Sequence, residues 1–359
     1  MTVSEAVGYG VKYLKEKKID RKIFMPETTP IFDTPVLDVN CILEHTLKKS
    51  RTFILSHGDT ELSKKQTSVF KNALKKRREG LPVAYITGVK EFYGLDFLVT
   101  PDVLIPKPDT ELLVEHALKE AAQKFASREN FTANFTADFT AGLAAKPEDR
   151  KNSRNAAYRV ADVCTGSGCI AVSFLHEAAA SGVNAALINL AVYASDISKK
   201  ALAVAKKNAC RILSDNPAAK KAMDFFQGDL LDAFPKEIRF ELILSNPPYV
   251  PSETVTELLK DGRKEPRVAL DGDVTAIQSK DFCDENSCKK DFHDGLAIIR
   301  RLIPQAYERL SAGGLFLLEA GEYNVEKTAK LMKSEGFADV KIHKDLSGQL
   351  RLAEGRKPF

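Results

Sequence analysis

The chain has 359 residues, 44% hydrophobic and 28% charged, enough for two or three domains with real cores at the usual ~100–200 residues each. It has no run approaching the ~18 apolar residues of a membrane helix, no secretory signal in Met1 to Ala6 and only six cysteines, so the expectation is a soluble, cytoplasmic protein with reduced thiols. A net charge of +4 argues against a wide basic face for nucleic-acid phosphates, although residues 1–85 hold 16 Lys and Arg against 10 Asp and Glu, a net +6.

Residues 1–81 read as a small helical bundle, because Val36, Leu37, Val39, Ile42, Leu43 and Leu47, then Val69, Phe70, Ala73 and Leu74, recur at helical spacing. The run Lys75-Lys76-Arg77-Arg78 reads as a solvated helix face. From 82 to 108 the pattern changes to short β-branched and aromatic runs, Val83 to Thr87, Phe92 to Tyr93, Phe97 to Val99 and Val103 to Ile105, broken by Gly88, Gly94 and Pro101. A β-hairpin linker fits that pattern. Asp109 or Thr110 can cap the helix that follows through Leu112, Leu113, Val114 and Leu118. An insert near 121–156 carries a Phe-Thr-Ala repeat starting at Phe131, Phe135 and Phe139, a low-complexity segment to which no chemistry is assigned. A second insert spans 273–293. Its Cys283, Cys288 and His293 lack an evident fourth ligand, so no metal is expected.

From Arg159 onward, strand-like runs alternate with helical patterns: Val160 to Val163, Ile188 to Ala194, Phe225 to Phe226, Phe240 to Leu244 and Leu315 to Leu318. Alternation of this kind predicts an α/β, Rossmann-like, mostly parallel sheet covered by helices on both faces, filling residues 109–359. Two last runs, Val340 to His343 and Gln349 to Ala353, have no helix between them and predict an antiparallel hairpin at the sheet edge, which separates methyltransferase-type sheets from all-parallel dinucleotide folds.

Three strand tips point at one nucleoside. The first runs into Cys164-Thr165-Gly166-Ser167-Gly168, where glycines let a ligand approach the backbone and the next helix offers free amides. Gly166, Gly168 and Ala171 also fit a dinucleotide fingerprint, so this loop alone does not separate NAD from S-adenosylmethionine. Asp196 ends the second strand, placed to accept from ribose hydroxyls and also able to cap the next helix, two roles that can coexist. Gln227-Gly228-Asp229-Leu230 ends the third, where it can border an adenine ring. The strongest signal is Asn246-Pro247-Pro248-Tyr249, directly after the strand Phe240 to Ser245. The prolines fix φ and remove donors, so the Asn246 side-chain carbonyl and a nearby backbone carbonyl can accept both hydrogens of a planar NH₂ group, with the Tyr249 ring against its face. Held in that way, the nitrogen lone pair turns toward an incoming methyl group, which is catalysis by orientation.

The turn Asn246 to Tyr249, with Glu91-Phe92-Tyr93-Gly94-Leu95 and Val103-Leu104-Ile105-Pro106-Lys107-Pro108-Asp109-Thr110-Glu111, resembles the PrmC/HemK family of release-factor glutamine methyltransferases. The segment Glu265 to Gly272, resuming at Asp294-Gly295-Leu296, extends the resemblance over nearly the whole chain. The resemblance implies methyl transfer from S-adenosyl-L-methionine to the glutamine amide in the Gly-Gly-Gln loop of class-one peptide chain release factors, with no membrane and no nucleic acid required. It implies that the donor lies on Cys164, Thr165, Gly166, Ser167, Gly168, Asp196 and Leu230, with Leu104 and Asn246 nearby. Asn246, Pro247, Pro248 and Tyr249 would hold the glutamine. Cys164 stands where the family has glycine, and Lys107 and Asp109 replace its Arg and Glu. The alternative activity is methylation of amino groups on DNA or RNA bases by the same turn. A non-catalytic binding protein whose donor site Cys164 has spoiled, and an NAD-dependent dehydrogenase resting on the glycine loop alone, stand behind it.

Overall fold

The computed structural model describes residues 1–16, 34–129, 158–180, 190–273 and 293–359. The Phe-Thr-Ala repeat and Cys283 and Cys288 lie outside these residues. Two compact units divide the chain: residues 1–90, 98–105 and 253–266 form the front unit, and residues 91–97, 106–252 and 267–359 form the second.

The front unit contains the helices Val3–Lys15, Pro35–Leu47, Arg51–Ser56 and Lys64–Arg78. Thr2 with Glu5 and Ser63 with Gln66 form reciprocal capping boxes, which satisfy amides that the first turn leaves without partners. Val3, Leu14, Val39, Ile42, Phe70 and Leu74 close a small core. Within the basic run, Lys75 and Lys76 are exposed as expected, but Arg77 is buried and paired with Asp38 at 2.7 Å. Helical spacing explains the difference, since position 77 lies on the same face as Phe70 and Leu74.

Val83–Thr87, expected to be extended, is instead a helical turn. Pro82 presets φ, its carbonyl accepts from the amides of Tyr85 and Ile86, and Gly88 closes the turn at φ 77°. Val103 to Ile105 likewise forms no strand. The hairpin is confined to β1 (Val89–Phe92) and β2 (Leu95–Leu98), joined at Tyr93 and Gly94, whose φ values of 55° and 71° suit a two-residue turn.

The second unit is built on a seven-stranded sheet in the order β5-β4-β3-β6-β7-β9-β8. These strands are β3 (Tyr158–Val163), β4 (Leu190–Asp196), β5 (Met223–Gln227), β6 (Phe240–Ser245), β7 (Leu310–Glu319), β8 (Ala338–Lys344) and β9 (Leu350–Arg356). β3 to β7 run parallel, and β9 inserts antiparallel between β7 and β8. The fold is Rossmann-like, as expected, with the final hairpin at the sheet edge. Val160, Leu242, Leu244 and Leu317 pack with Leu113, Val114 and Phe174 on one face. Ala161, Val163, Ile243 and Phe316 pack with Ile299, Leu302 and Met332 on the other.

The chain builds outward from β3 through β4 to β5, then returns to β6 on its other side. The order therefore reverses between β3 and β6, and ligands of open α/β sheets bind at the carboxyl ends of the strands at such a point. No described helix is long and apolar enough to cross a membrane.

Candidate active site

At the end of β3 the side chain of Asp162 is fully buried. Its Oδ2 accepts from the Thr165 hydroxyl at 2.5 Å and the Ala171 amide at 3.3 Å, which ties the loop to the first turn of the helix Cys169–Ala180. Burial pushes this carboxyl up to about 7, against those two bonds and with the Asp196 charge adding to the rise. The loop itself is left-handed at Cys164 (φ 63°), Gly166 (57°) and Gly168 (81°). The two glycines do different things. A Cβ on Gly168 would stand 3.1 Å from the Ala205 Cβ, so this glycine lets the helix Lys199–Ile212 pack closely. A Cβ on Gly166 would meet nothing within 4 Å, so the backbone there faces open space that a ligand can fill.

Asp196 at the tip of β4 reaches back to this loop. Its Oδ2 accepts from the Gly166 amide at 2.9 Å and its Oδ1 from the Ser198 amide at 2.8 Å. Of the two parts open to Asp196, the helix cap goes elsewhere: the Ser198 hydroxyl accepts from the Ala201 amide at 3.2 Å. Each Asp196 oxygen keeps a lone pair for a further donor. At the tip of β5, Gly228 donates to the Asp196 carbonyl at 3.2 Å, and Leu230, left-handed at φ 50°, accepts from the Ser195 hydroxyl at 3.2 Å. The glycine loop, Asp196 and Leu230 thus share one end of the sheet. Leu104 is half-buried in the front unit.

β6 delivers the Asn246 turn beside that loop. The Ser245 hydroxyl donates to the Val163 carbonyl at 2.8 Å, locking the tips of β3 and β6 together. Asn246 donates through Nδ2 to the Thr110 hydroxyl oxygen at 3.0 Å, which turns its Oδ1 to the other side. Pro247 and Pro248 are buried. The Tyr249 hydroxyl donates to Glu319 Oε1 at 3.3 Å. Burial, with the Glu319 charge beside it, raises the phenol well above its ordinary range and keeps it protonated. Glu319, itself buried at the end of β7, is pushed up to about 7 by desolvation, opposed by the Thr110 and Tyr249 hydroxyls. The Tyr249 carbonyl accepts from Tyr323 at 3.2 Å and from Asn324 at 3.0 Å, so it is committed within the protein.

The turn is backed by the segments that flank the second insert. Val250 donates to the Leu270 carbonyl and accepts from the Gly272 amide, both at 2.9 Å. A Cβ on Gly272 would stand 2.0 Å from the Gly295 carbonyl oxygen and 2.8 Å from the Tyr249 Cα, and one on Gly295 would stand 2.2 Å from the Tyr249 carbonyl oxygen. Asp271 is buried and accepts from the Ser252 hydroxyl at 2.6 Å and from Arg267 at 2.9 Å.

Three residues of this group carry no site role in the sequence reading. Thr110 reads as a helix cap and as part of the resembling run Val103 to Glu111, and neither Asp162 nor Glu319 is given a role. Polar residues at the carboxyl ends of otherwise apolar strands were the signal available for the two acids.

The chain is similar to known proteins along nearly its whole length. A family profile described as the PrmC N-terminal domain matches residues 29–88, and one described as the methyltransferase small domain matches residues 149–265. The release factor glutamine methyltransferase of Coxiella burnetii is 31% identical over 331 residues, covering 92% of this chain and 95% of the relative. That of Koribacter versatilis is 31% identical over 359 residues, covering 100% of this chain and 99% of the relative. That of Burkholderia pseudomallei is 33% identical over 322 residues, covering 90% and 92%.

Proposed function

The chain belongs to the release factor glutamine methyltransferase family, and from that premise we propose that it methylates the side-chain amide nitrogen of the glutamine in the Gly-Gly-Gln loop of class-one peptide chain release factors. The observation that carries the reading is the Asn246 turn, whose amide is held by Thr110 so that Oδ1 is free to accept. S-adenosyl-L-methionine, when bound, supplies the electrophilic methyl carbon.

The residues at the sheet tips fit that donor. The open space over Gly166 leaves room for a ligand against the loop Cys164 to Gly168, Asp196 has lone pairs for ribose hydroxyls, and Leu230 offers an apolar edge for a base.

An amide nitrogen is a poor nucleophile because its lone pair is delocalised. In this reading the turn compensates by orientation. Asn246 Oδ1 and the Pro247 carbonyl accept the two N–H bonds of the substrate amide, the Tyr249 ring lies against its plane, and the nitrogen is aimed at the methyl carbon. Pro248 keeps the turn rigid. The departing amide proton leaves late, and the mechanism assigns it no strong base. The basic residues 1–85, net +6, are proposed to contact the body of the release factor at a distance from its glutamine loop.

The test is mass spectrometry of a release factor incubated with the enzyme and donor. One methyl group on the loop glutamine is expected. A release factor left unmodified while DNA or RNA bases gain methyl groups would replace this reading with the nucleic-acid one.

A further inference from the structure

Thr110 ends the short turn Pro108–Thr110 and is only 2% exposed. Its hydroxyl oxygen accepts the Asn246 amide at 3.0 Å. At the other end of the turn Glu319 accepts the Tyr249 hydroxyl at 3.3 Å. The two ends of the Asn246 to Tyr249 turn therefore each rest on a buried side chain, Thr110 at one and Glu319 at the other.

A hydroxyl has a single proton and two lone pairs. Thr110 gives a lone pair to the Asn246 amide, and among the described residues it is the one hydrogen-bond partner of that side chain. Without the hydroxyl this NH₂ would lose its partner and the amide would be held by nothing. In the orientation that Thr110 holds, Oδ1 is the end of the amide that is presented.

We infer that Thr110 is a positioning residue for methyl transfer: its buried hydroxyl holds the Asn246 side chain so that an acceptor meets the substrate amide. This rests on the reaction proposed above. Thr110 touches neither substrate nor donor in this account and acts only through Asn246.

The experiment compares wild type, Thr110→Val and Thr110→Ser. It measures turnover on a release factor, donor affinity by calorimetry and folding by circular dichroism. Thr110→Val keeps the shape and removes the hydroxyl. It is expected to lower kcat roughly 10- to 100-fold, the scale of a small misplacement at the reacting atoms, with donor Kd unchanged within about threefold. Thr110→Ser is expected to recover kcat to within about threefold of wild type, because it restores the one group at issue. Wild-type turnover matched by Thr110→Val overturns the inference while leaving the reaction intact. A serine variant as impaired as the valine one, or a valine variant that has lost donor binding, overturns it in favour of a purely structural part. Wild type that leaves every release factor unmodified removes the reaction itself, and the inference with it.

Discussion

Cys164 holds a backbone φ of 63°, a conformation that costs an L-residue roughly 1–2 kcal/mol and that glycine adopts freely. That is the physical reason for glycine at this place in the resembling family. Burial raises its thiol well above the ordinary range, with the carboxylates of Asp196 and Asp162 adding to the rise, so it is an inert filler rather than a nucleophile. Cys164→Val should be less stable than Cys164→Gly by about 1–2 kcal/mol in urea unfolding, because a β-branched residue fits the left-handed region worst. Equal stabilities would show that the loop relaxes elsewhere. Asn246→Ala removes the acceptor on which orientation depends. It should lower turnover by about 100-fold or more while donor affinity by calorimetry stays within threefold, a split that follows from an interaction made with the substrate amide and not with the donor. Asn246 and Asp196 were legible in the sequence because each follows a recognisable strand. The partner that orients Asn246 was not, since Thr110 lies 136 positions away.

At the scale of the element, the Asn246 turn is shaped as much by its backing as by its prolines. Gly272 and Gly295 allow two backbones to meet Tyr249 at distances no side chain permits. Gly272→Ala should therefore displace the turn. The expected result is a loss of about 2 kcal/mol or more in stability together with a fall in turnover, and the two are read from the same preparation by denaturant titration and methyl transfer. A variant with wild-type activity would mean that the turn is held by β6 alone. Periodicity identified the strands of the sheet correctly because each has its own run of apolar residues. It misread Val83–Thr87, where β-branched residues sit in a helical turn because Pro82 and Gly88 govern the local backbone. Local turn chemistry overrides β-propensity over so short a span.

For the whole molecule, stability is set partly by acids that the fold buries. Asp162 and Glu319 are both raised to about 7 by desolvation, from 3.8 and 4.5. A raised acid favours the folded state while protonated, so its contribution is full below the unfolded value and is lost as pH climbs through 7. Glu319→Gln cannot ionise. Its stability should decline less between pH 5 and pH 8 than that of wild type, by roughly 2–3 kcal/mol, as measured by urea unfolding at the two values. An identical decline would place the titration on other groups. On the acid side Glu354 acts in the opposite sense: its hydrogen bond to His116 and the charge and hydrogen bond of His343 hold it down at about 2, so its contribution is present above 4.5 and fades as pH falls toward 2. The parallel sheet, the antiparallel final hairpin and the strand tips that face the site can be read along the chain, because apolar period and turn residues are local properties that survive any packing. The meeting of Thr110, Glu319, Gly272 and Gly295 at one turn comes from the fold and not from any stretch of the chain. Hydrogen bonds and close approaches between residues far apart in the chain leave no period along it, and they come into being only when the sheet closes.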